Sequence, residues 1–215
     1  MSEPASAAQP GDAASSASNW NVPNALTTLL IVMVPVFGWA LLHDGGDSQG
    51  WRWLAYALFV VAMITDKIDG DIARKHNLVT NFGKIADPIA DKAITGMAFI
   101  GLSIIHPLFD AWIWWTITVV VLVREWAVTF ARLSIARQVV MAARQSGKVK
   151  TMAQAFALGG FVAPFGDLHG GWHTPGLVVW WLAAALLAVA VVLTVSSGVE
   201  FARDVARHRD TVVSG

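Results

Sequence analysis

Apolar residues fall in long runs along this chain, and the charged residues gather in the short segments between them. Runs of this length with few internal charges predict helices that cross a bilayer, because a hydrocarbon span needs about 20 residues of helix. Six spans are predicted: about Ala25 to Leu42, Trp51 to Thr65, Ile85 to Ile105, Trp112 to Ala131, Met152 to Pro164 and Gly176 to Val199. The second and fifth are short if only their apolar residues are counted. The second must run on through the polar residues after Thr65 to cross, while Gly159, Gly160 and Pro164 shorten or bend the fifth. The expected fold class is an all-α integral membrane protein, six transmembrane helices around a polar cavity on the cytoplasmic side.

Composition agrees. Of 215 residues, 55% are hydrophobic and 14% charged, against about a quarter charged in an ordinary soluble domain. The net charge is zero, so no global field points to nucleic acid or another polyanion as partner. There is no cysteine, which removes disulfides, thiolate ligands and a cysteine nucleophile. Residues 1–19 are rich in Ala, Ser, Pro and Gly, without Lys or Arg, and lack the basic start and apolar core of a signal peptide. They are expected to be a disordered tail, followed by one six-helix domain over 20–202 and a basic tail over 203–215.

Charge placement orients the expected bundle. Lys67, Arg74, Lys75 and Lys84 lie between the second and third spans. Arg132, Arg137, Arg144, Lys148 and Lys150 lie between the fourth and fifth, and Arg203, Arg207 and Arg209 follow the sixth. The other connections carry only Arg52. Basic segments stay in the cytoplasm, so an even number of spans puts both termini inside, in the cell membrane. The three trailing arginines would meet anionic headgroups of membrane lipids. Trp51, Trp53, Trp112, Trp114, Trp115, Trp172, Trp180 and Trp181 cluster towards the opposite ends, as an interfacial aromatic belt would.

The chemistry is concentrated between residues 66 and 91. Asp66 and Asp69 are three apart and Asp87 and Asp91 four apart, so each pair shares a helix face. Four carboxylates beside hydrophobic spans are too costly without a counter-charge, and divalent cations suit an all-oxygen donor set. Gly70, Ala73, Arg74 and Gly83 stand at fixed places among them. Asp71 is two residues from Asp69, points off that face and reads as a solvated charge. Pro88 follows Asp87 and can re-aim the neighbouring carboxylate by kinking its helix. Lys92 follows Asp91 and has two readings, a partner for a site carboxylate or a snorkelling interfacial lysine.

The run Asp-x2-Asp-Gly-x2-Ala-Arg-x8-Gly-x3-Asp-x3-Asp fills every position of the signature of the CDP-alcohol phosphatidyltransferase family, and the chain is similar to that family. The resemblance implies that Asp66, Asp69, Asp87 and Asp91 hold two divalent metal ions, Mg2+ or Mn2+, with Asp91 also the general base. It implies that Asp66, Asp69, Gly70, Ala73, Arg74 and Gly83 bind the nucleotide and its diphosphate. Small residues let a nucleotide lie against the backbone, and a guanidinium fork suits a phosphate.

Further segments resemble the phosphatidylglycerophosphate-forming branch of the family. They are Asn21 to Thr27, Asp87 to Lys92, Val123-Arg124-Glu125 with Arg132, and Gly147 to Gln154. This branch implies CDP-diacylglycerol as donor, sn-glycerol 3-phosphate as acceptor, and a homodimer. Leu30 stands where many relatives carry an arginine, which leaves phosphatidylglycerol or an inositol phosphate as alternative acceptors. For the acceptor phosphate the candidate cations are Arg124, Arg132, Lys148 and Lys150. Arg124 reads equally as an ion pair with Glu125, and the other three as positive-inside anchors. His169 and His173 are four apart, but Gly170 and Gly171 between them suggest an outer loop over a zinc site. An ion-coupled transporter would explain intramembrane acids, but not the Gly, Ala and Arg positions.

Overall fold

The computed structural model describes residues 22–75, 81–135 and 145–213. Within those ranges the side chains of Asp69, Asp71, Ala73, Arg74, Lys84, Arg132 and Lys148 fall outside the description, as does the surface around Gly70. The N-terminal segment 1–19, Arg137 and Arg144 also lie outside the described residues. Among the described residues six α-helices follow one another: α1 Val22–Leu42, α2 Gln49–Lys75, α3 Asn81–Ile105, α4 Ala111–Ile135, α5 Gln145–Val162 and α6 His173–Val213. Short 3-10 turns join α1 to α2 and α5 to α6, and no strand occurs among the described residues.

Among the described residues four segments, Asn24–Gly46, Ala86–Ile105, Ala111–Ala131 and Gly170–Glu200, are long and apolar enough to cross a bilayer on their own. The remaining two helices are α2 and α5, the pair whose apolar runs are too short. α2 reaches spanning length by continuing through Asp66, Asp69 and Arg74 as one 27-residue helix. α5 gains its length at the other end, starting at Gln145 ahead of its apolar run, and stops at Val162, two residues before Pro164. The chain is thus a multi-pass, all-helical membrane protein. α6 is longer than its apolar pattern, running 41 residues to Val213, about 60 Å at 1.5 Å per residue. The basic segment after residue 202 is therefore a continuation of that helix up to Val213.

Small residues set how closely the helices approach, as is common between membrane helices. α5 packs on α6, where a Cβ added to Gly160 would lie 2.7 Å from the Ala183 Cβ. On α3, a Cβ at Gly101 would come within 2.5 Å of Leu41 on α1. Between α1 and α2 the chain turns sharply through Asp44, Gly45 and Gly46, all at positive φ. The core lies between these contacts and includes Phe37, Phe59, Phe99, Leu102, Phe161 and Leu187.

Trp114 departs from the expected aromatic belt. Trp112, Trp115, Trp172 and Trp181 are exposed on the bundle surface, but Trp114 is fully buried. Its indole packs edge-on against Phe161 at 5.0 Å, and its Nε1 donates to the Pro107 carbonyl at 2.9 Å. The ring is satisfied inside the protein, so it needs no headgroup region.

Arg52 fastens the same end of the bundle. It is 5% exposed, and its guanidinium donates to the carbonyls of Phe161 at 2.6 Å and Val162 at 3.2 Å and to Asp167 at 3.0 Å. The last carbonyls of a helix have no partner within it; here a cation from α2 satisfies those of α5, the favourable sign for a helix C-terminus.

Candidate active site

The opposite end of the bundle carries the signature residues. Asp66 sits 14 residues beyond Arg52 on α2, about 21 Å further along that helix. α2 brings Asp66, Asp69, Gly70, Ala73 and Arg74, and α3 brings Gly83, Asp87 and Asp91. The two helices pack against each other. Asp66, Asp87 and Asp91 are half-buried and Gly83 is buried in the first turn of α3. Helix α3 passes through Pro88 without ending. Among the described residues no three acidic or histidine side chains form a ready metal cage, and Asp69, the fourth expected ligand, has no described side chain.

Asp87 is oriented from a third helix. The Thr27 hydroxyl, 1% exposed on α1, donates to Asp87 Oδ1 at 2.7 Å. A hydrogen bond to a charged carboxylate is shorter and stronger than a neutral one. It fixes which oxygen of Asp87 turns away from α1. Leu30, one helical turn after Thr27, is buried in the core at 2% exposure. Leu30 is thus an apolar packing residue of the bundle.

Asp91 ends a chain of ion pairs through three helices. Lys92 Nζ lies 2.9 Å from Asp91 Oδ2 and 3.0 Å from Glu125 Oε2 on α4. The other oxygen of Glu125 takes Lys150 Nζ from α5 and, at 3.3 Å, Arg124 Nη1. Arg124 Nη2 then donates to Ser197 Oγ on α6 at 2.7 Å. Five side chains, three cationic and two anionic, therefore meet here. A buried charge is tolerated only when paired and hydrogen-bonded, and Glu125 at 5% and Lys150 at 6% exposure meet that condition through each other.

The structure thus brings together some of the expected residues and re-reads others. Lys92 is a carboxylate partner and not a snorkelling side chain. Arg124 has the Glu125 pairing, and Lys150 shares it instead of standing as a surface anchor. Arg132 and Lys148 belong to α4 and α5, with side chains outside the described residues. Thr27 and Glu125 were not among the expected site residues. The sequence carries a signal for Glu125, a carboxylate in an apolar run, but none for the Thr27–Asp87 contact across 60 residues.

Side chains of α1, α3, α4, α5 and α6 thus meet at one end of a membrane bundle, with Asp91 of α3 and Glu125 of α4 paired to cations of α3, α4 and α5, and α2 carries Asp66 and Asp69 to the same end. A paired charge network at the end of a membrane bundle marks the working end of a membrane-embedded enzyme. The sequence model of the CDP-alcohol phosphatidyltransferase family matches residues 20–200, and the chain belongs to that family. It is 43% identical over 210 residues to a probable phosphatidylglycerophosphate synthase of Mycobacterium tuberculosis strain H37Rv, covering 95% of this chain and 93% of the relative. A CDP-diacylglycerol–glycerol-3-phosphate 3-phosphatidyltransferase of Bacillus subtilis strain 168 is 39% identical over 193 residues, covering 85% and 93%. One of the same description from Rickettsia felis is 37% identical over 173 residues, covering 79% and 90%.

Proposed function

We propose that this protein transfers a phosphatidyl group from CDP-diacylglycerol to sn-glycerol 3-phosphate, giving phosphatidylglycerophosphate and CMP. The observation that carries the reading is the complete signature run on α2 and α3, in a chain 43% identical along 95% of its length to a probable phosphatidylglycerophosphate synthase. In this reading the site faces the cytoplasm, where the basic segments beside it would lie. A homodimer is part of the same reading and is supported by the family resemblance.

The donor set fits divalent cations. Asp66, Asp69, Asp87 and Asp91 offer only oxygens, the ligands that Mg2+ and Mn2+ prefer, and Thr27 already orients one oxygen of Asp87. When bound, such ions neutralise the diphosphate and the charge on the departing CMP. The remaining roles belong to the chain itself. Gly70 and Ala73 leave the helix face low enough for the nucleotide to lie along it. Arg74 pairs with a phosphate oxygen. Asp91 accepts the proton of the acceptor 1-hydroxyl, whose oxygen bonds to the lipid-proximal phosphorus as the bond from that phosphorus to the CMP oxygen breaks. Arg132 and Lys148 serve the acceptor phosphate, with Arg124 and Lys150 shared between it and Glu125.

The test is incorporation of radiolabelled glycerol 3-phosphate into lipid by purified protein. Label should enter only with CDP-diacylglycerol and Mg2+ or Mn2+ present. Parallel reactions with phosphatidylglycerol and with inositol phosphate define the acceptor, and a strong preference for either would overturn the assignment.

A further inference from the structure

Glu125 has no part in the reaction as derived above, yet it sits one residue away from contact with its base. It is 5% exposed on α4, and both its oxygens are taken by cations. One of those cations is shared. Lys92 Nζ stands 3.0 Å from Glu125 Oε2 and 2.9 Å from Asp91 Oδ2. A lysine side chain is a flexible four-carbon stem that costs entropy to immobilise, and a carboxylate on each side holds its tip in place.

We propose that Glu125 is a positioning residue for phosphatidyl transfer, drawing the Lys92 ammonium between its own carboxylate and that of Asp91. This rests on the reading of Asp91 as the general base. With Lys92 divided between two anions, Asp91 Oδ2 is fixed while its second oxygen is left to receive the acceptor proton. The division also holds the Lys92 ammonium to one side of Asp91, 2.9 Å from Oδ2 and 3.0 Å from Glu125. Without Glu125, the ammonium would fall to Asp91 alone and compete with the hydroxyl proton. Three cations would also lose their common anion.

Partners that orient a functional carboxylate from behind are worth about 10- to 100-fold in activity. The experiment is a double-mutant cycle on the full-length protein in detergent micelles, with kcat and acceptor KM measured for E125Q, K92Q and the double variant. Folded protein is quantified by size-exclusion chromatography, so that rates are per folded molecule. E125Q should lower kcat by about 10- to 100-fold and leave acceptor KM unchanged or lower. Because Glu125 acts through Lys92, the double variant should be no slower than K92Q alone. E125D should recover part of the loss. Losses that multiply in the double variant, or a fall confined to the yield of folded protein, would overturn the proposal. If E125Q does not fold, the same cycle is run with E125D, which keeps the charge but withdraws it from Lys92. D91N separates the two levels of the argument: its activity would strike the base assignment itself. An inactive D91N beside an E125Q at full kcat would remove only the positioning role.

Discussion

Thr27→Val removes one hydroxyl and with it the hydrogen bond that aims Asp87. The contact is 2.7 Å long, it joins α1 to α3, and Thr27 is 1% exposed, so water does not readily replace the lost donor. A hydrogen bond to a charged group contributes about 1.5–3 kcal/mol. At 1.36 kcal/mol per decade that is about 10- to 150-fold. Asp87 would be a metal ligand, so the loss should appear first as weaker metal binding. Activity titrated against Mn2+ at saturating CDP-diacylglycerol should show half-maximal velocity at about 10- to 100-fold higher metal. Velocity at saturating metal should fall much less. Thr27→Ser keeps the hydroxyl and should stay within about threefold of wild type on the same scale. An unchanged metal dependence in T27V would refute the orienting role, and so would equal losses in T27V and T27S.

The remaining predictions concern the scaffold. Arg52→Gln removes the guanidinium that donates to the Phe161 and Val162 carbonyls and to Asp167. It should destabilise the protein by about 2–4 kcal/mol, read as a lower melting temperature in detergent. Turnover per folded molecule should persist, because Arg52 is about 21 Å along α2 from Asp66; lost turnover in folded R52Q would contradict this. Gly160→Val drives a side chain into Ala183, 2.7 Å from the first added carbon. Thermal unfolding should show about 1–3 kcal/mol of destabilisation from overpacking, and none at all would mean that α5 and α6 are not in this close contact.

Much of the fold could be read from hydropathy because a bilayer makes helix length a measurable constraint. The shortage of apolar residues in the second span forces α2 through the carboxylates, and α2 does run to Lys75. For the acidic residues, α2 and α3 supply the helices on which spacings of three and four residues share a face. What hydropathy cannot read is which residue of one helix meets which of another. Trp112, Trp114 and Trp115 look alike in sequence, yet only Trp114 turns into the core. Lys92 and Glu125 are 33 residues apart and meet because α3 and α4 pack at that height. Lys150 reads as one of several basic residues outside a span until α5 lays its amine on Glu125. The length of α6 was hidden because charge ends a hydrophobic run without ending a helix. Ala, Arg, Asp and Val over 202–206 contain no Pro or Gly to break it.

The whole account depends on the carboxylates of α2 and α3 acting as a cation site for the diphosphate. Counting Mn2+ bound per chain by electron paramagnetic resonance, with and without CDP-diacylglycerol, tests this most directly. Two ions per chain are expected with the nucleotide lipid present, falling sharply when Asp66 and Asp87 are both changed to Asn. Binding that is absent, or that is the same in wild type and the double variant, would contradict the account.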